Sequence, residues 1–183
     1  LSEGEGKDEW KEVPVPGELM ALGYEVLRGK WFTYRKKIDV PAGWTGRKIF
    51  LRFGMVYELA EVTVNGQFIR KHKGGFTTFD CDITDAVQPG EQAEILVRCT
   101  HTWDATTEFT AAPGEPAPGR AGIIDDVTLY SLPSTHLTHL CYHTQLDEAY
   151  TNAVLRVELE YTHDGSGTSE RLLLSLTDPG GQK

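Results

Sequence analysis

The sequence predicts an all-β protein, a β-sandwich or jelly roll followed by a shorter second set of strands. Three observations carry this. Apolar residues recur at every second position in run after run, as in "IFLRF", "AEVTV" and "AEILVRC", which is the period of a half-buried strand. Turn-forming pairs separate the runs at roughly ten-residue spacing. No segment sustains the 3.6-residue pattern of a long amphipathic helix.

Taken in order, "WFTYRKKIDV" is the first long strand, closed by the turn Pro41-Ala42-Gly43. In the next, Ile49, Leu51 and Phe53 face one way. Ala60, Val62 and Val64 follow and enter a hairpin at Asn65-Gly66, from which Phe68 and Arg70 leave; Asn-Gly supplies the two positive-φ positions of a tight hairpin turn. Gly74-Gly75 lets the chain cross into a strand from Phe76 to Asp82. After Pro89-Gly90, Ala93, Ile95, Val97 and Cys99 alternate with polar neighbours. Residues Thr102 to Ala121 lack periodicity and are dense in Pro, Gly and Thr, so they read as a long irregular loop of the kind that often carries function. "DVTLYSL" returns as a strand, and Pro133 ends it. A domain boundary is placed there, giving 1–133 and 134–183. The second part holds the runs "HLTHLCYHTQL", "AVLRVELEY" and "RLLLSLTD". Three strands make half a sandwich with an open apolar face, which predicts self-association or disorder of that part.

Bulk properties narrow the function. With 183 residues, 39% hydrophobic and 10% aromatic, the chain can bury a core. A net charge of −9 argues against nucleic acid as the main partner, since a phosphate backbone attracts a basic stripe. No run of about 18 apolar residues is present, so no membrane-spanning helix is expected. The N-terminal "LSEGEGKDEWKEV" is polar and acidic and does not read as a signal peptide. Cys81, Cys99 and Cys141 are odd in number and widely spaced, which fits neither a disulfide framework nor a zinc motif; all three are expected as buried free thiols. Neither a cytoplasmic nor a periplasmic or secreted bacterial setting is selected.

Beyond these readings, the order of elements resembles the N-terminal sugar-binding domain of glycoside hydrolase family 2, the family of β-galactosidases, β-glucuronidases and β-mannosidases. The elements are Tyr34-Arg35, Pro41, Trp44 to Gly46, Leu51-Arg52-Phe53, Val62 to Gly66, Gly74 to Phe79, Asp82 to Thr84 and Pro89 to Glu91. "EWKEVPVPGELMALGY" resembles the lead-in of that domain, "AGIIDDVTLYSLP" its closing strand, and "TQLDEAYTNAVLRVELEY" the start of the immunoglobulin-like domain that follows it. The resemblance implies a galactose-binding-domain-like jelly roll over 1–133 and a partial immunoglobulin-like sandwich over 134–183. It also implies a non-catalytic N-terminal piece of a larger glycosidase, β-galactosidase-like, whose two catalytic glutamates sit on a (β/α)₈ barrel that this chain lacks. The chain would support that barrel and contact carbohydrate; the competing readings are a free-standing carbohydrate-binding module and a structural sandwich. One departure stands out: many members carry Arg in the closing strand where this chain has Asp125.

Each local candidate also has a structural role open to it. Retaining glycosidases hold two carboxyl groups about 5 to 5.5 Å apart. Asp80, Asp82 and Asp85 cluster, and calcium is the functional alternative, but Asx-type turn bonds after the strand explain them better. Asp125 and Asp126 are adjacent, so in a strand they would face opposite ways. Of His136, His139 and His143, only the last two would share a strand face, and neither a metal nor any other cofactor is expected. Phe76 and Phe79 are assigned to the core, and Trp31 and Trp44 to structural roles near turns. Trp103, Asp104 and Phe109, in the irregular loop, are the carbohydrate-contact candidates, because aromatic faces stack on sugar C–H surfaces beside polar tips.

Overall fold

The computed structural model describes residues 1–3, 10–27, 29–101, 121–163, 165, 171–178 and 180–181. They fall into two compact units, Leu1–Pro133 and Ser134–Lys183.

The first unit is a sandwich of antiparallel strands. Its strands are β1 (Ser2–Glu3), β2 (Trp31–Asp39), β3 (Lys48–Phe53), β4 (Val56–Tyr57), β5 (Leu59–Val64), β6 (Gln67–Lys73), β7 (Phe79–Asp82), β8 (Gln92–Thr100), β9 (Gly122–Ile123) and β10 (Val127–Leu132). One sheet has the order β1-β2-β8-β5-β6, the other β10-β3-β7, and β4 pairs with β9. The only helical turns among the described residues are short 3-10 turns at Ala42–Trp44 and Thr84–Ala86.

The alternation read from the sequence is what fills the core. Ala60, Val62, Val64, Ala93, Ile95, Val97 and Cys99 from the larger sheet meet Ile49, Leu51, Phe53, Phe79 and Cys81 from the smaller. Phe53 and Phe79 are register partners, with rings stacked at 5.0 Å. The hairpin turn has positive φ at both Asn65 and Gly66. Asn65 also locks the turn to its surroundings: its Oδ1 accepts from the Glu94 N–H and its Nδ2 donates to the Ala86 carbonyl. Gly74, at φ 146°, lies where the chain leaves β6 in one sheet for β7 in the other. The smaller sheet's strand starts only at Phe79, so Phe76 precedes it and is 53% exposed. Core packing therefore holds for Phe79 and fails for Phe76.

In the second unit, β11 (His136–Leu146) and β12 (Ala153–Thr162) form an antiparallel ribbon. Its turn is tied by Asp147, whose carboxylate accepts from the Thr151 N–H and from Asn152 Nδ2. These bonds hold the Asp147 carboxyl down at about 2. A bulge between Leu137 and His139 shifts the register by one residue. Because directly opposed residues share a face, the bulge sorts the ribbon into two. Leu137, Leu140, Tyr142 and Leu146 lie opposite Tyr161, Leu159, Val157 and Ala153 on an apolar face. His136, His139, Cys141 and His143 lie opposite Thr162, Glu160, Glu158 and Arg156 on a polar one. His136 thus joins His139 and His143, against the expectation from simple alternation. Cys141 is only partly buried, unlike Cys81 and Cys99. The run expected as a third strand forms none: residues 171–178 are irregular, with Leu172, Leu173, Leu174 and Leu176 exposed.

Candidate functional site

Trp103, Asp104 and Phe109 lie outside the described residues. What the structure does describe is the end of the sandwich where β8 stops. β8 ends at Thr100, and His101 follows it, beside the start of β5. There Glu58 and His101 are both buried, with 5% of each side chain exposed, and Oε2 lies 3.9 Å from Nδ1. Nδ1 of His101 makes no hydrogen bond among the described residues. The imidazole lies nearly parallel to the Tyr57 ring, 20° between planes and 5.9 Å between centroids. Phe76 meets Tyr57 edge-on at 5.5 Å. Gly75 is pressed against the Tyr57 ring so closely that a Cβ there would overlap it.

Next to this stack, His72 Nε2 lies 3.2 Å from the Gly74 carbonyl and 3.0 Å from Thr77 Oγ1, and its ring stacks on Phe79 at 4.0 Å. Burial lowers the His72 imidazole from its ordinary value, the Gly74 carbonyl opposes this, and Arg70 adds to it. The cluster thus offers one exposed aromatic face, Phe76, above a buried layer of Tyr57, His101 and Glu58. An exposed ring on a fixed aromatic base is suited to stacking on an apolar ligand face.

The carboxylates singled out in sequence are engaged elsewhere. Asp80 is gripped by Arg52 through two bonds of 2.8 Å. Asp82 Oδ1 accepts from both the Thr84 N–H and its hydroxyl, the Asx-type turn expected for it. Asp125 and Asp126 sit in the bend between β9 and β10 rather than in a strand; Asp125 Oδ1 accepts the Asp126 N–H, and its carboxyl packs on Gly54. Among the described residues no three His, Cys, Asp or Glu side chains gather as a metal would need. On the flank of the sandwich, a cleft of about 840 Å³ is walled by Val13, Ile38, Val127 and Leu129. Arg35 covers the Trp10 ring at its rim, 4.1 Å from the ring centroid.

Sequence reading missed Tyr57, Glu58 and His101. The one signal was "VYELA", where a carboxylate interrupts an apolar run. His101 gave none, because its partner is set by the β5–β8 pairing.

Residues 14–127 match the family described as glycosyl hydrolase 2 galactose-binding domain-like. The chain is 38% identical over 68 residues to a β-glucuronidase of Bacteroides fragilis, covering 37% of this chain and 10% of that one. It is 30% identical over 130 residues to a β-galactosidase of Clostridium acetobutylicum, covering 69% and 14%. A β-D-glucuronidase structure from Dictyoglomus thermophilum superposes with TM-score 0.67 at 24% identity, over 86% of this chain and 30% of that one. A Ruminococcus gnavus β-glucuronidase gives 0.60 at 26%, over 73% and 25%. The chain therefore spans less than a third of the length of each.

Proposed function

Because the chain belongs to the glycosyl hydrolase 2 galactose-binding domain-like family, we propose that it serves as the non-catalytic N-terminal sandwich of a larger β-galactosidase-like glycosidase. In this reading hydrolysis belongs to a separate barrel, and the sandwich buttresses it. Carbohydrate is met at the sandwich end beyond His101, with Trp103, Asp104 and Phe109 as the contacting residues. The observation that supports this is the stack of Phe76, Tyr57 and His101 beside the end of β8. Side chains on a loop position a ligand only when the scaffold below is fixed.

Calorimetry of the 183-residue chain against galactose, glucuronic acid and their β-linked disaccharides tests the reading, together with hydrolysis of nitrophenyl β-glycosides. The expected result is no turnover and no saturable binding at micromolar sugar. Micromolar saturable binding by the chain alone would select a free-standing carbohydrate-binding module instead. In the barrel-containing enzyme, Trp103→Ala and Phe109→Ala are expected to raise KM more than they lower kcat. Unchanged kinetics would remove these residues from the substrate's path.

A further inference from the structure

The polar face of the β11–β12 ribbon carries a thiol and a base in contact. Cys141 and His143 are two residues apart on one strand, and Sγ lies 3.2 Å from Nε2. The bulge places both opposite charged residues, Glu158 and Arg156, and away from the leucine face. Covering the apolar face would therefore leave the thiol in solvent. The other two thiols are the reverse case. Cys81 is 1% exposed and Cys99 is fully buried, and burial pushes both up to about 12.

A nucleophile with a proton acceptor in hydrogen-bond reach is the minimal unit of thiol chemistry. We propose that Cys141, with His143 as its base, is a thiol-exchange site that takes small neutral disulfides. In the step, Cys141 Sγ attacks one sulfur of the disulfide, a new S–S bond forms, and the old one breaks. The Cys141 proton passes to His143 Nε2 and then to the departing thiolate, which leaves as a free thiol. Cys141 is oxidised to the mixed disulfide, and one half of the reagent is reduced. Across the ladder Glu160, Glu158 and Arg156 oppose His139, Cys141 and His143 in turn, and Arg156 Nε lies 3.8 Å from Glu158 Oε1. Two carboxylates against one guanidinium disfavour an anionic disulfide, so an uncharged one is the appropriate probe.

The chain is treated with bis(2-hydroxyethyl) disulfide at neutral pH, and each cysteine's modification rate is read by peptide mass spectrometry. Cys141 is expected to react at least about tenfold faster than Cys81 and Cys99, with all three reacting alike in denaturant. His143→Gln is expected to slow Cys141 by about tenfold, less than the roughly hundredfold or more that a base in an enclosed active site supplies, while His139→Gln leaves the rate unchanged. Folded-state circular dichroism of both variants should match the parent. Equal rates at the three cysteines, or a Cys141 rate indifferent to His143→Gln, would overturn the proposal.

Discussion

Arg52 and Asp80 form a two-pronged ion pair across β3 and β7, Nε donating to Oδ1 and Nη2 to Oδ2, each at 2.8 Å. They are register partners in the ladder, so the backbone presets the geometry. Arg52 also lies over the Tyr130 ring at 5.1 Å, and Arg70 Nη1 donates to the Asp80 carbonyl at 2.6 Å. Asp80 thus ties β3 through its carboxylate and β6, in the other sheet, through its backbone carbonyl. Its hydrogen bond to Arg52 lowers the Asp80 carboxyl from its ordinary value, against partial burial.

That shift has a sign for stability. The folded chain holds the Asp80 proton less tightly than the unfolded chain, so the contribution is complete above the unfolded value, about 3.9. It is lost as pH falls through the lower folded value. Asp80→Asn is therefore expected to lower the urea midpoint at pH 7, with the gap to the parent closing towards pH 2.5. Half of the Arg52 side chain is exposed, so the gap should be modest and shrink in high salt. An equal gap at pH 7 and pH 2.5 would show that Asp80 acts through packing alone.

Gly75 supplies the second prediction. Its α-carbon abuts the buried Tyr57 ring, with Phe76 and His101 packed on that ring as well. Gly75→Ala forces the ring to move, an overpacking change expected to cost about 1 to 3 kcal/mol. Gly43 is the control, since a Cβ there meets open space and Gly43→Ala should stay within about 0.5 kcal/mol. Thermal melts of the two variants decide it, and equal melting points would place the Tyr57 contact outside the folding energetics.

What could be read from sequence and what could not divide along a physical line. Val62, Val64 and Asn65-Gly66 were legible because strand period and turn chemistry are local. The buried alternation of Ile95, Val97 and Cys99 was legible for the same reason. The Leu-rich run at 171–178 had strand composition, but a strand exists only with a ladder partner, and it has none among the described residues. Phe76 carried no local mark of exposure; the strand's late start at Phe79 decides it. The bulge near Thr138 has no sequence signature either, yet it alone gathers Leu137 with Leu140 and His136 with His139. For the candidate site, the aromatic content was visible while the pairing was not. Glu58 and His101 are distant in the chain and meet because Leu59 is the register partner of Thr100.

The Glu58–His101 contact gives the last prediction. Both side chains are buried at 3.9 Å, and buried polar groups that lose a partner cost more than the contact itself contributes. Glu58→Gln and His101→Gln should each destabilise the first unit. The double variant should be less destabilised than the sum, because each single change removes the same contact. A coupling of about 1 to 3 kcal/mol is expected from urea titrations of the four proteins. Additivity within about 0.5 kcal/mol would mean that the two side chains do not sense each other. The packing at the end of β8 would then rest on the Tyr57 stack alone. Coupling in the expected range would make the carboxylate and imidazole one unit holding β8's end against β5.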